Sequence, residues 1–430
     1  MPKTNLGRVL PTKGFDIMNW TEITQASEAA DRLASLPDQF VTPADMLYFD
    51  GNSLGLMSIR SQERIQVALD EWANLAVLGW DQAVPPWLTR VEEVSALLAP
   101  LIGAIPGEVT LGSSTTVMLH QLLATFYQGG SILIDGLAFP TDRYAVESFL
   151  QSRMAGERLV VVPPASDGLL DPDEILRKAR RDVTLAVLPS VVFTTGQRLP
   201  IVSLTRELRR QGIFVIWDLS HSAGLFPHRL HDVEVDAAVF CTYKYLHGGP
   251  GSPGAAFVHR RHWPLRPGLQ GWWGSAHDQQ FRMTDQFLGA PDTHALQLGT
   301  PSILALAALE GSLLTLNEVG IENLWQRSTK LVHLLQRLVE AFLVPYGVKI
   351  VTPASMRGGH LALSHPCGRD LSTRLRQRRV VADFRYPDII RLAPVPTTTR
   401  WSGLLETVVI LQAVLTDGPS MTSIPPSLVP

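Results

Sequence analysis

The sequence runs to 430 residues, 45% apolar and 18% charged, with a formal net charge of −3. That length and apolar content can bury a sizeable core and favour one large domain plus a smaller one, while the near-neutral charge excludes an electrostatic case for nucleic acid or an anionic membrane as partner. Two cysteines (Cys241 and Cys367), no apolar leader after Met-Pro-Lys-Thr-Asn and no run of about eighteen apolar residues lead us to expect a soluble, cytoplasmic protein without a disulfide framework.

In chain order, residues before about Met46 read as an N-terminal arm with one helix near Thr21–Leu36. Short β-branched runs then predict strands at Ser131–Ile134, Leu159–Val162, Leu185–Leu188, Phe214–Asp218, Ala237–Cys241 and Ala255–Val258. Between them, longer periodic stretches predict helices at Ser114–Phe126, Asp142–Met154, Pro172–Arg181 and Val202–Gln211. Strand–helix alternation of this kind argues for an α/β fold with a largely parallel sheet covered on both faces, where ligands bind beyond the carboxyl ends of the strands. A helical region from Ser302 to about Leu343 breaks near Gly320. Short strands near Lys349, Leu361, Val380 and Arg391 and a last helix then suggest a smaller α+β domain. The expected division is 1–60 as an arm joining the small domain, 61–305 as the large domain, 306–416 as the small one and 417–430 as a Pro- and Ser-rich tail. There is no internal repeat.

Three segments carry chemistry. In Ile213–Ser222 an apolar run delivers Asp218 to a strand's carboxyl end, with His221 three residues later. A carboxylate there either caps the next helix or pairs with a pyridinium nitrogen, keeping that ring cationic. Next, Lys244 follows a buried run in Cys241-Thr242-Tyr243-Lys244-Tyr245, ahead of His247-Gly248-Gly249-Pro250-Gly251. A buried ammonium needs a partner or a chemical use, and imine formation with an aldehyde is such a use; the alternative is a lysine that snorkels to the surface. Finally, Gly112-Ser113-Ser114-Thr115-Thr116 opens a helix, where hydroxyls and free N–H groups suit a phosphate as well as simple capping. One strand apart, Asp218 and Lys244 together favour a pyridoxal 5'-phosphate (PLP) site.

These segments resemble the kynureninases, PLP enzymes of fold type I, collinearly from about Tyr48 to Pro396. The resemblance rests on Tyr48-Phe49-Asp50-Gly51-Asn52-Ser53-Leu54-Gly55-Leu56, on Phe139-Pro140-Thr141-Asp142-Arg143-Tyr144-Ala145-Val146-Glu147-Ser148 and on Thr195-Gly196-Gln197. It continues through Asp218–Gly224, Tyr243-Lys244-Tyr245-Leu246, Gly271-Trp272-Trp273-Gly274 and Arg391-Leu392-Ala393-Pro394-Val395-Pro396. It implies a large domain with a mostly parallel seven-stranded sheet and a smaller α+β C-terminal domain. By the same resemblance Lys244 forms the Schiff base with PLP, Asp218 binds the pyridinium nitrogen with His221 nearby, and Thr115, Thr116 and Tyr243 hold the phosphate. Phe139 stacks on the ring and Asp142 lies close to it. Arg391 receives the substrate α-carboxylate, while Asn52, Trp80 and Gly299 touch substrate. Trp272 and Thr300 reach the site from the other subunit, which implies a homodimer with shared active sites. No metal is implied. The implied reaction is hydrolysis of the amino acid L-kynurenine to anthranilate and L-alanine, a step of tryptophan degradation, with Lys244 moving the α-proton and Tyr243 as acid or base.

Trp80, Gly299 and Thr300 resemble the bacterial pattern that prefers the unsubstituted ring, since an apolar tryptophan offers no acceptor to a 3-hydroxyl. Against the family pattern, Trp273 replaces Phe, Ser275 replaces His, His247 replaces Asn, and Thr397-Thr398-Thr399 stands where a Tyr is common; these leave a ring-substituted kynurenine open. Two rivals remain. A cysteine desulfurase or selenocysteine lyase would use a thiolate such as Cys367, and a non-catalytic PLP-binding module would have let the site decay.

Overall fold

The computed structural model describes residues 17–417, which form two compact units. The larger comprises Leu54–Phe193 and Gln197–Asn323; the smaller comprises the described residues up to Ser53, Thr194–Gly196 and those from Leu324 onward.

The large unit is built on a seven-stranded sheet in the order Val109–Gly112, Gly254–Val258, Ala237–Cys241, Phe214–Asp218, Val183–Pro189, Ser131–Asp135 and Leu159–Val162. The last five strands run parallel; Gly254–Val258 is antiparallel to Ala237–Cys241, and Val109–Gly112 is antiparallel to Gly254–Val258. Every residue of Ser131–Asp135, Ala237–Cys241 and Gly254–Val258 is buried, as expected for strands covered on both faces, which read as unbroken apolar runs. On one face Met118, Leu119 and Leu122 of the Thr115–Phe126 helix and Ala145, Val146 and Phe149 of the Pro140–Ser152 helix close the core. On the other, the fully buried Trp217 donates its indole N–H to Thr205 at 2.9 Å. All six predicted strands form. The edge strand Val109–Gly112 was not foreseen, because four residues carry too little periodicity and its pairing is wholly non-local.

The expected boundary at 305/306 is corrected to 323/324. Helix Ile303–Val319 belongs to the large unit because it packs on helix Ile59–Leu75: a Cβ on Gly311 would lie 2.4 Å from the Arg60 backbone, and Ser61 Oγ donates to the Ala308 carbonyl at 2.7 Å. Glu310 on the same helix receives Arg64 at 2.6 Å and the buried Arg90 at 2.9 Å. The N-terminal arm likewise ends at Ser53 rather than residue 60.

In the small unit a four-stranded antiparallel sheet runs Asp383–Arg385, Ile389–Leu392, Leu361–Ser364, Lys349–Ile350, and Leu47–Tyr48 pairs in parallel with Val380–Val381. Its core gathers Leu331, Leu335, Leu338 and Phe342 with Leu404, Val408 and Leu411 of the Trp401–Thr416 helix. The N-terminal helix spans Ile17–Ala30, not Thr21–Leu36. Asp31 ends it by taking the Leu33 N–H at 2.9 Å on one oxygen, and Arg327 at 2.7 Å and the Trp401 indole at 2.8 Å on the other. Of the expected tail only Asp417 lies within the described residues. Among the described residues no single helix is long and apolar enough to cross a membrane.

Candidate active site

The site forms where the parallel strands end. Asp218 closes its strand and Lys244 follows the next one over, while the Thr115–Phe126 helix starts nearby. A cavity of about 200 Å³ is lined by Thr115, Thr116, Phe139, Asp142, Asp218, His221, Tyr243 and Lys244, so eight residues singled out from the sequence meet here. Lys244 is 8% exposed. Its Nζ lies 3.1 Å from His221 Nε2, 5.7 Å from the Phe139 ring centroid and 5.9 Å from that of Tyr243. An amine buried beside an imidazole and two aromatic faces is desolvated, the setting an amine nucleophile needs. The snorkelling alternative is thereby excluded.

Asp218 accepts the Ser220 N–H at 2.8 Å. Its carboxylate also hydrogen-bonds with the carboxyl of Asp142, which burial, and then the charges of Asp218 and Asp135, hold well above the usual carboxylate range. A carboxyl raised in this way holds its proton more tightly and can share it with the Asp218 side chain. Asp135 was missed. It ends its own strand as Asp218 does, and that shared position was the available signal. It accepts the Leu137 N–H at 2.8 Å, and burial, reinforced by the Asp218 charge, pushes its carboxyl up to about 7. A pKa raised on folding makes the folded state bind more protons than the unfolded chain, so stability present at low pH is lost as pH rises toward 7. Asp135→Asn is thus expected to raise the apoprotein's Tm more at pH 8 than at pH 5; calorimetry at both values checks it, and equal shifts contradict it.

At the other end of the cavity, Ser114 caps the helix by accepting the Val117 N–H at 3.3 Å, leaving first-turn N–H groups without intrahelical acceptors. Strand Gly254–Val258 approaches so closely that a Cβ on Gly254 would lie 2.4 Å from Ser114 C and Thr115 N. Gly254→Ala must push this turn aside, and PLP affinity should fall by about tenfold or more in a spectral titration; unchanged affinity would show that the turn does not hold phosphate. Gly55 seats the lysine loop from outside: its N–H donates to the Tyr243 carbonyl at 2.7 Å, and a Cβ there would lie 2.3 Å from the Lys244 carbonyl. His247 sits in the left-handed region at φ 57° with its Nδ1 2.9 Å from the Leu56 carbonyl, and burial pushes its imidazole down to about 4. A neutral His donating there does what Asn can do, and both residue types tolerate that backbone. This departure from the family pattern is a change of brace, not of chemistry.

Gly299 and Thr300 are not in this cavity; they line a second one of about 250 Å³ that shares Ser113 and Gly251 with it. Trp272 is 43% exposed and donates its indole N–H to the Gln280 carbonyl at 2.7 Å. Trp80 packs on Trp87 and on Trp273, with centroids 5.6 and 5.4 Å away, so the larger ring at position 273 extends an aromatic cluster. Asn52 and Arg391 belong to the small unit. There Arg391, 1% exposed, pairs with Asp383. The buried Asn52 amide has no hydrogen-bond partner among the described residues, for oxygen or nitrogen. Cys367 is exposed at the start of helix Gly368–Gln377. Elsewhere Glu108, His231 and His259 bring ligating atoms within 4.8 Å, but Glu108 already receives His231 Nδ1 and the Arg260 N–H, each at 2.9 Å, and His259 Nδ1 takes the Arg261 N–H.

Family comparisons agree with this geometry. Residues 87–359 match the class-V aminotransferase family, and residues 324–411 match the kynureninase C-terminal domain. A kynureninase of Geobacillus thermodenitrificans is 39% identical over 406 residues, 92% of this chain and 94% of that one. The chain belongs to the kynureninase family. A kynureninase of Shouchella clausii is 37% identical over 410 residues, 94% of this chain and 96% of that one. Among solved structures, the cystine C–S lyase C-DES superposes with a TM-score of 0.75 at 20% identity, covering 88% of this chain and 99% of that one. A cysteine desulfurase of Thermococcus onnurineus does so at 0.74 and 15%, covering 89% and 98%. At those identities the fold alone is shared, the PLP-dependent fold type I. Kynureninases use PLP, and this cavity fits it. Its lining combines the hydroxyl-rich start of a helix, a buried carboxylate and a buried amine.

Proposed function

We propose that this chain cleaves L-kynurenine with water at the Cβ–Cγ bond, releasing anthranilate and L-alanine. The observation that carries the reading is the buried Lys244 amine beside His221 in one cavity with Asp218, in a chain of the kynureninase family. PLP, when bound, supplies the carbonyl that captures the substrate amine and a ring that takes up negative charge from Cα. Thr115, Thr116 and Tyr243 would hold its phosphate, Phe139 would lie against its ring, and Asp218, beside the Asp142 carboxyl, would keep the ring nitrogen protonated. Lys244 removes the α-proton, with His221 at 3.1 Å orienting Nζ. Water adds its hydroxyl to the γ-carbonyl, and Cβ leaves with the bonding electrons and takes up a proton. Burial raises the Tyr243 phenol above its ordinary range, so near neutral pH it is a donor, suited to supply that proton. Arg391 receives the α-carboxylate as a guanidinium fork, Asn52 and Gly299 touch the substrate, and the apolar face of Trp80 favours the unsubstituted ring.

The protein acts in the cytoplasm as a homodimer in which Trp272 and Thr300 complete the partner subunit's site. Trp72, Val77, Val84, Phe281 and Met283 of the large unit are each more than half exposed, apolar surface that a second copy would cover. Sedimentation of the holoenzyme as a monomer would reject this assembly. The function is tested by mixing protein, PLP and L-kynurenine and following anthranilate fluorescence. No anthranilate would end the proposal; a higher kcat/KM for 3-hydroxykynurenine would overturn the ring preference alone.

A further inference from the structure

We propose that Asp383 is the positioning residue that sets the plane of the Arg391 guanidinium for the substrate α-carboxylate; this rests on the reading that Arg391 receives that carboxylate. The two residues are direct cross-strand neighbours in the antiparallel pair Asp383–Arg385 with Ile389–Leu392, so their side chains leave the same face of the sheet. They pair there with the side chains 2% and 1% exposed. The oxygen of Asp383 that meets Arg391 also receives Arg385 at 3.2 Å, and Ser53 Oγ lies 3.4 Å from it and 3.4 Å from Arg391 Nη2. One carboxylate oxygen thus gathers two guanidiniums and a hydroxyl. A carboxylate anchored by several partners and paired with a guanidinium holds the plane of that fork in one orientation. Beside it is the buried Asn52 amide without a partner, next in sequence to Ser53, so a polar guest is expected on this loop. Outer groups that orient a binding residue in this way commonly govern affinity without touching the ligand.

The test separates ligands by the group Arg391 would read. Spectral titration of the holoenzyme with L-alanine, which carries the carboxylate but no aryl ketone, and with kynuramine, which carries the aryl ketone but no carboxylate, gives two dissociation constants. Asp383→Asn should weaken L-alanine by about tenfold or more and kynuramine by less than twofold. A merely structural ion pair would weaken both alike, and that result, or an unchanged L-alanine constant, overturns the proposal. Should Asp383→Asn fail to fold, Asp383→Glu keeps the charge while moving the carboxylate by one methylene, and the same selective loss is required of it. Arg391→Lys is the control for the underlying reading. If it leaves the L-alanine to kynuramine ratio unchanged, the assignment of Arg391 fails, whatever Asp383 does.

Discussion

Lys244→Ala should cut anthranilate formation by about 10⁴-fold or more and abolish the visible band of lysine-bound cofactor. The magnitude follows from the two roles proposed for Lys244, covalent capture and proton transfer at Cα, being lost together with no substitute at hand. Lys244 is the lysine that lines the cavity, and His221, its 3.1 Å neighbour, is an imidazole that cannot form the same bond. The change removes a buried ammonium rather than creating one, so thermal stability should hold and lost activity will not reflect unfolding. Kinetics, an absorbance spectrum and a melting curve on one preparation decide the matter. Anthranilate at the wild-type rate would refute the assignment.

Asp218→Asn should lower kcat by about 10²–10³-fold, with L-kynurenine affinity less affected. An amide cannot keep a ring nitrogen protonated as an anion does, so negative charge at Cα loses its sink. A second consequence comes from the carboxyl pair. Asp142 is held above the usual range by burial first and by the Asp218 charge next; with that charge gone, its carboxyl should titrate lower than in the wild type while burial still keeps it raised. A difference titration of the variant against the wild-type apoprotein should register that downward shift. Wild-type kcat in Asp218→Asn would mean that another group protonates the ring.

Much of the large unit was legible because its strands are fully buried apolar runs bounded by polar turns, from Ser131–Ile134 to Ala255–Val258, and its helices repeat at their own period. The Asp218–Lys244 pair was legible for the same reason, since each interrupts or follows such a run with a charge that burial makes costly. Asp135 went unread although it ends its strand in the same way, because a lone acid there is usually a turn cap and it does cap Leu137. Val109–Gly112 went unread because nothing within four residues announces an antiparallel partner some 145 residues later.

The linear order of residues by itself determined the α/β class and the family, and it singled out Asp218 and Lys244, since these depend on local patterning and on motifs that survive without coordinates. Tertiary structure alone decided where the units divide, because Ser61, Arg64 and Arg90 claim helix Ile303–Val319 across more than two hundred residues. It also decided which carboxyls share a proton and which acid grips Arg391. Those outcomes depend on the distance and burial of groups far apart in sequence, and electrostatic coupling is set by space rather than by spacing along the chain.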